Sequence, residues 1–292
     1  MRIVFSLFLA MCFPFILFAQ SANEIPFQLM ESGHILVKAK VDGVEGNFIF
    51  DTGAGLTAFT KTFFDKLKHV VREDGGYTGF RATGERMDLD LYKVKQFQLG
   101  SLIHEEEEIS YVDANLGGID GIISLKYMES QPFTIDFEKK VLRLETPKTL
   151  AQIREKATSI PVQLEQSRNK SLALFSYFRV NDTLTLQVSF DSGAGKDVYR
   201  LNSKYMKALQ IDPSDTAHVR TIERKSEFNE QFKSHIYLAA VKKIASEKAP
   251  AIQRANVRAQ FVDGLIYDGI IWINWLGSKI SFDLQHQQLL VQ

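Results

Sequence analysis

The sequence predicts a mainly β protein built as two homologous lobes with a few short helices. Three observations carry that prediction. Apolar residues alternate with period two through most of the chain. Gly, Asn and Asp punctuate the alternating runs as turn residues do. A set of landmarks recurs in one order in the two halves. The 292 residues, 45% of them hydrophobic, suffice for two cores.

The first twenty residues stand outside this pattern. Arg2 precedes an apolar run from Ile3 to Phe18 that only Ser6 and Pro14 break, and small or polar residues follow in Ala19-Gln20-Ser21-Ala22. This is the layout of an export signal, and the run is short for a full membrane span. The expected mature chain therefore begins between Gln20 and Glu24 and resides in a periplasm or outside the cell, with no membrane attachment once residues 1–20 are removed. N-terminal sequencing of exported material checks this, and a chain still starting at Met1 would mean a retained anchor. Cys12 is the only cysteine, so the mature protein is expected to hold no disulfide, thiol nucleophile or cysteine–metal site.

The first copy of the repeat lies in residues 21–145, the linker in 146–160 and the second copy in 161–292. Each copy opens with an alternating run, His34–Val41 or Leu172–Val180. A tight turn follows, Asp42-Gly43 or Asn181-Asp182, and then a second strand. These strands end in FIFDTGAG, Phe48 to Gly55, and VSFDSGAG, Val188 to Gly195. Asp-Gly-Ile-Ile comes 69 residues after Asp51, as Asp120 to Ile123, and 77 after Asp191, as Asp268 to Ile271. Each copy closes on a strand pair around an aspartate, Phe133–Phe137 with Val141–Leu144, and Ile280–Leu284 with Leu289–Val291. Short helices are expected over Lys61–Val70, Ser203–Gln210 and part of the linker.

The two Asp loops are the chemical signal. An apolar strand delivers Asp51, then Thr52, Gly53, Ala54 and Gly55; the second copy repeats this as Asp191, Ser192, Gly193, Ala194 and Gly195. A lone Asp-Gly pair reads equally well as a turn. Agreement of two loops in register is not demanded by a turn.

These loops resemble those of aspartic peptidases of the pepsin and retropepsin type, in the form of a two-lobed bacterial retropepsin-like protein. The resemblance implies the acid-protease fold, two β-barrel-like lobes with the active site between them. It implies Asp51 and Asp191 as the catalytic dyad of an aspartic endopeptidase acting on a polypeptide substrate, without metal or other cofactor. Thr52 and Ser192 would lock the loops together, and Gly53 and Gly193 would let the backbone support the carboxylates. The apolar Asp-Gly-Ile-Ile strands would thread behind the loops, with Asp120 and Asp268 structural. Gly75 to Phe80, with Gly76, Tyr77, Thr78 and Gly79 toward substrate, would form a mobile flap. The second copy, lacking glycine over Asp215–Lys225, would have no counterpart. One chain supplies both carboxylates, so a monomer is expected to suffice.

Ala54 and Ala194 stand where acid-adapted relatives place a hydroxyl that bonds the aspartate. Without it the dyad is expected to keep its shared proton to higher pH. The alternative reading is a non-catalytic peptide-binding protein on the same fold.

Other features read as structural. The 35 basic and 35 acidic residues cancel, and the basic stretch Lys242–Arg258 lacks interleaved aromatics, so nucleic acid is not an expected partner. Glu105–Glu108 beside His104 reads as a solvated edge, and no histidine spacing suggests a metal site.

Overall fold

The computed structural model describes residues 23–226, 229 and 231–292, so the signal segment and Cys12 lie outside the described residues. Strands account for 55% of the chain and helices for 9%, in two lobes.

The first lobe runs through β1 (Glu24–Leu29), β2 (Ile35–Val41), β3 (Val44–Asp51), β4 (Ala58–Thr60), helix α1 (Lys61–Phe64), β5 (Val70–Phe80), β6 (Arg86–Leu99), β7 (Leu102–Val112) and β8 (Gly121–Ser124). Six of these follow the order β2-β3-β8-β4-β7-β6, and β2 pairs back onto β6 to close a barrel. β9 (Phe133–Asp136), β10 (Val141–Leu144), helix α2 (Pro147–Arg154) and β11 (Thr158–Pro161) lead into the second lobe. That lobe holds β12 (Gln163–Ser167), β13 (Ser171–Val180), β14 (Leu184–Asp191), β15 (Tyr199–Asn202), β16 (Arg220–Lys225), β17 (Lys233–Ser246), β18 (Gln253–Val262) and β19 (Gly269–Trp272). β20 (Lys279–Asp283) and β21 (Gln288–Val291) end the chain. Its order β13-β14-β19-β15-β18-β17 closes through β13 and β17, strand for strand as in the first lobe.

The duplication extends to burial. β3 and β14, VEGNFIFD and LTLQVSFD, share one pattern in which three consecutive residues before the aspartate are buried. Such a run suits a central strand covered on both faces. Both strands pair in parallel with the Asp-Gly-Ile-Ile strand of their own lobe. Asp51 lies opposite Ser124 and Asp191 opposite Trp272. The turns that precede them take left-handed conformations at both central residues, Asp42 (φ 48°) with Gly43 (φ 81°) and Asn181 (φ 50°) with Asp182 (φ 60°). That is the twist-matched hairpin turn.

Phe48 anchors the first core, with Phe63, Phe59 and Phe97 at centroid distances of 5.1, 5.5 and 6.0 Å. Each such buried ring contributes roughly 1.5–3 kcal/mol. Beneath both lobes, β11-β21-β20-β9-β10-β1 forms a shared antiparallel platform. Its middle pair is near-symmetric: Phe133 stacks on Phe282 at 4.4 Å, and Thr134 bonds Ser281 at 2.7 Å. Phe50, the residue before Asp51, meets Phe133 edge-on at 5.5 Å. The dyad strand thus rests on the joint between the lobes.

Two helices are shorter than the sequence suggests. α1 is one turn, because Val70 is already paired with Val94 in the β5–β6 hairpin. Over Ser203–Gln210 only Ser203–Tyr205 is helical, of the tight 3-10 kind, and Gln210 is left-handed at φ 58°. The linker helix forms where expected, started by a Thr146–Thr149 capping box with Pro147 in its first turn.

Candidate active site

The two Asp loops face each other at the centre of the molecule. Thr52 and Ser192 are fully buried and exchange hydrogen bonds reciprocally. Thr52 N donates to Ser192 Oγ at 3.0 Å and Ser192 N donates to Thr52 Oγ1 at 3.0 Å. Each hydroxyl also donates to the carbonyl preceding the opposite aspartate, Thr52 to Phe190 O at 2.9 Å and Ser192 to Phe50 O at 2.8 Å. Every donor and acceptor of this buried cross is matched, which makes the joint rigid.

Each carboxylate lies over the glycine of the opposite loop. A Cβ built on Gly53 would sit 2.4 Å from Asp191 Cγ, and one on Gly193 would sit 2.3 Å from Asp51 Cγ. Only glycine allows that approach. The loop amides hold one oxygen of each acid: Asp51 Oδ1 accepts from Gly53 N at 2.8 Å and Ala54 N at 3.1 Å, and Asp191 Oδ1 accepts from Gly193 N at 2.6 Å. Burial pushes the Asp191 carboxyl well above the usual range; the Asp51 charge and a hydrogen bond with Asp51 push it further, while Arg200 and the Gly193 amide pull against them. The pair therefore retains a proton where two isolated aspartates would have lost both.

Asp120 and Asp268 lie away from this centre. Asp120 accepts from Asn47 N at 2.9 Å, and Asp268 pairs with Tyr205 and with Lys204 at 3.1 Å. His104 bonds Glu107 at 2.9 Å and stacks on Tyr127.

The segment expected as a flap lies in the β5–β6 hairpin, with Gly76, Tyr77, Thr78 and Gly79 in strand β5 just before its tip. The left-handed Gly75 falls where the β5–β6 register shifts, so these glycines accommodate an irregularity in the strand. The hairpin tip is Arg81–Glu85, where Arg81 N donates to Glu85 O at 2.8 Å. The second lobe also has a hairpin, β16–β17, contrary to expectation. Strand pairing there needs no glycine. The two hairpins touch: Ser226 Oγ donates to Glu85 Oε2 at 2.6 Å and accepts from Arg81 Nη1 at 2.9 Å. Tyr77 reaches the second lobe as well, its hydroxyl 2.7 Å from Ser171 Oγ with Arg168 over its ring.

Two positions that the sequence reading missed complete the site. His34 Nε2 donates to Gly193 O at 3.0 Å while its Nδ1 faces Ser32 Oγ at 2.8 Å. Ser171 lies against Gly55, and Leu172 N donates to Gly55 O at 3.3 Å. His34 begins the first alternating strand of its copy and Ser171 immediately precedes that of the other, so each sits at the entry to the strand that leads into its lobe.

Residues 37–127 match the family model described as aspartyl protease. The matched segment contains the Asp51 loop, the β5–β6 hairpin and the Asp-Gly-Ile-Ile strand. The fold is of the aspartic protease type. Such a domain supports a peptidase-like hydrolase at the level of class. No curated protein matches the chain. The solved structure described as "Crystal structure of edgp" is similar to this chain over 92% of its length and 94% of that structure's, with a TM-score of 0.49 and 9% identity.

Proposed function

We propose that the protein is an aspartic endopeptidase in which Asp51 and Asp191 jointly activate a water against a peptide carbonyl. The observation that carries this reading is the opposed pair, each acid seated over the other's glycine, with burial and the neighbouring Asp51 raising the Asp191 carboxyl. A single proton shared between two close carboxyls is the established behaviour of aspartic-protease dyads, and the chemistry follows from it. The ionised member takes a proton from water as the water attacks, and the protonated member donates to the carbonyl oxygen. The tetrahedral intermediate then collapses as a proton passes to the leaving amine. Because the acids share one hydrogen-bonded unit, the acid and base roles belong to the pair.

The substrate is an extended polypeptide lying between the dyad and the hairpins, held by backbone hydrogen bonds as an added strand. The two hairpins touch through Arg81, Glu85 and Ser226, and on this reading turnover requires that contact to part and re-form. Export to a periplasm or the extracellular space, and action as a monomer, complete the proposal.

Cleavage of unstructured peptides tests it. A peptide mimic bearing a hydroxyl in place of the scissile carbonyl should inhibit, because it resembles the tetrahedral state. Chelators and serine- or cysteine-directed reagents should leave turnover intact. Full loss of activity with a chelator would sink the mechanism.

A further inference from the structure

The turn between β12 and β13 reaches from the second lobe onto the β5–β6 hairpin of the first. Its central residues, Arg168 (φ 50°) and Asn169 (φ 56°), are both left-handed, and Lys170 N closes the turn on Ser167 O at 2.8 Å. Asparagine tolerates that conformation, whereas an arginine gains nothing from it locally. The reason for Arg168 therefore lies in what its side chain touches.

Arg168 Nη2 donates to Gly76 O at 3.1 Å, and its guanidinium lies 5.3 Å over the Tyr77 ring. The neighbouring residues seat the turn. Lys170 Nζ pairs with Glu73 at 3.3 Å and with Glu108, and Ser171 Oγ lies 2.7 Å from the Tyr77 hydroxyl. A Cβ on Gly55 would lie 3.1 Å from Ser171 Cβ, so the guanidinium sits on a ring that Ser171 joins to the Asp51 loop. β5 is an edge strand, paired only with β6 among the described strands. The outward backbone groups of such a strand are the natural partners of an added peptide strand. One of them, the Gly76 carbonyl, is already occupied from within the chain. Arg168 is exposed, so its hold is weak enough for an incoming strand to displace.

We infer that Arg168 is a self-inhibiting residue: in the free protein it takes the hairpin acceptor that the peptide backbone takes in the complex, and it leaves when peptide binds. Binding then competes with an internal contact, and the apparent affinity is reduced by the fraction of molecules in which that contact is open. Lys170 and Ser171 keep the turn seated while the Arg168 side chain swings away. The inference deepens the proposed function and rests on its peptide-binding half, not on catalysis.

Arg168→Asn and Arg168→Gly both suit the left-handed position and remove the guanidinium. Each should lower KM for an unstructured peptide by about three- to ten-fold, with the gain in KM and not in kcat. A series of peptides, each N-methylated at one backbone position, locates the competition. At the position whose amide replaces Arg168 on Gly76 O, methylation removes the donor, and the variants should there bind no tighter than the unmodified chain. Unchanged or raised KM in both variants overturns the inference, and so does a gain that survives methylation at every position. Fluorescence anisotropy of the same peptides, in an Asp51→Asn background, keeps the two readings apart. Tighter binding in the Arg168 variants, with no cleavage by the chain that retains Asp51, would sink the peptidase reading and keep self-inhibition. Cleavage with equal affinity in the presence and absence of Arg168 would do the reverse. Peptides that bind neither form overturn self-inhibition as well.

Discussion

Replacing Asp51 or Asp191 by asparagine should lower peptide turnover by at least about 10³-fold while the protein stays folded. Each change removes half of one coupled acid–base unit, so the double variant should be no worse than either single one. Stability supplies an independent readout. The carboxyl of Asp191 is raised well above the usual range by burial and by Asp51. A carboxyl raised in the folded state favours folding while it is protonated. That contribution is complete below the unfolded pKa, about 3.9, and is lost as pH rises through the higher folded value. Asparagine resembles the protonated acid and does not ionise. Asp191→Asn should therefore raise the Tm relative to the unmodified protein at neutral pH, and the difference should vanish in strong acid. Near-full turnover in either single variant would refute the dyad. A lower Tm for Asp191→Asn at neutral pH would refute the raised carboxyl.

Gly193→Ala and Gly53→Ala should be nearly as damaging to activity as losing a carboxylate, although neither removes a chemical group. The added Cβ would lie 2.3 Å from Asp51 Cγ or 2.4 Å from Asp191 Cγ, far inside contact distance. Neither glycine is among those with positive φ, so alanine adopts the backbone without strain and the damage comes from the clash alone. Overpacking of this kind costs about 1–3 kcal/mol of stability. The larger effect is on geometry. A carboxylate displaced by about 1 Å loses its alignment with the water and the other acid, a change worth on the order of 10²-fold in rate. The locking cross offers a contrast. Ser192→Ala strands the Thr52 amide and the Phe50 carbonyl in a fully buried place, at about 1–3 kcal/mol for each group. That variant should lose stability more than Gly193→Ala does. Thermal unfolding and kcat/KM measured on all three decide the matter: equal activity in Gly193→Ala and the unmodified chain would mean that the carboxylates do not need their observed approach.

The pairing of His34 with the Gly193 carbonyl belongs to the same logic. Gly193 N holds Asp191 and Gly193 O is held by His34, so the glycine that positions one acid is fixed from the other lobe. Ser171 does the corresponding work against the first loop, joined by Tyr77. Each lobe's first turn thus braces the other lobe's catalytic loop.

Much of this was legible before any coordinates, because duplication makes local signals redundant. The alternation of ILVKAKV and the apolar run of FIFD specify strand type and covered face through their own side chains. Asp-Gly and Asn-Asp specify their turns through the conformations those residues tolerate. Two loops agreeing in register mark Asp51, Thr52 and Gly53 with Asp191, Ser192 and Gly193 as one constellation. What the tertiary structure alone decided depends on partners distant in the chain. Gly75 to Gly79 look like a loop locally, yet pairing with β6 makes them strand and moves the hairpin tip to Arg81–Glu85. β16 has no glycine signal and becomes a hairpin because β17 pairs with it. The brace by His34, the contact of Ser226 with Glu85, and the seat of Arg168 on Gly76 and Tyr77 join residues from both halves of the chain. A local sequence window carries the propensity of its own backbone, but not the identity of the surface that packs against it.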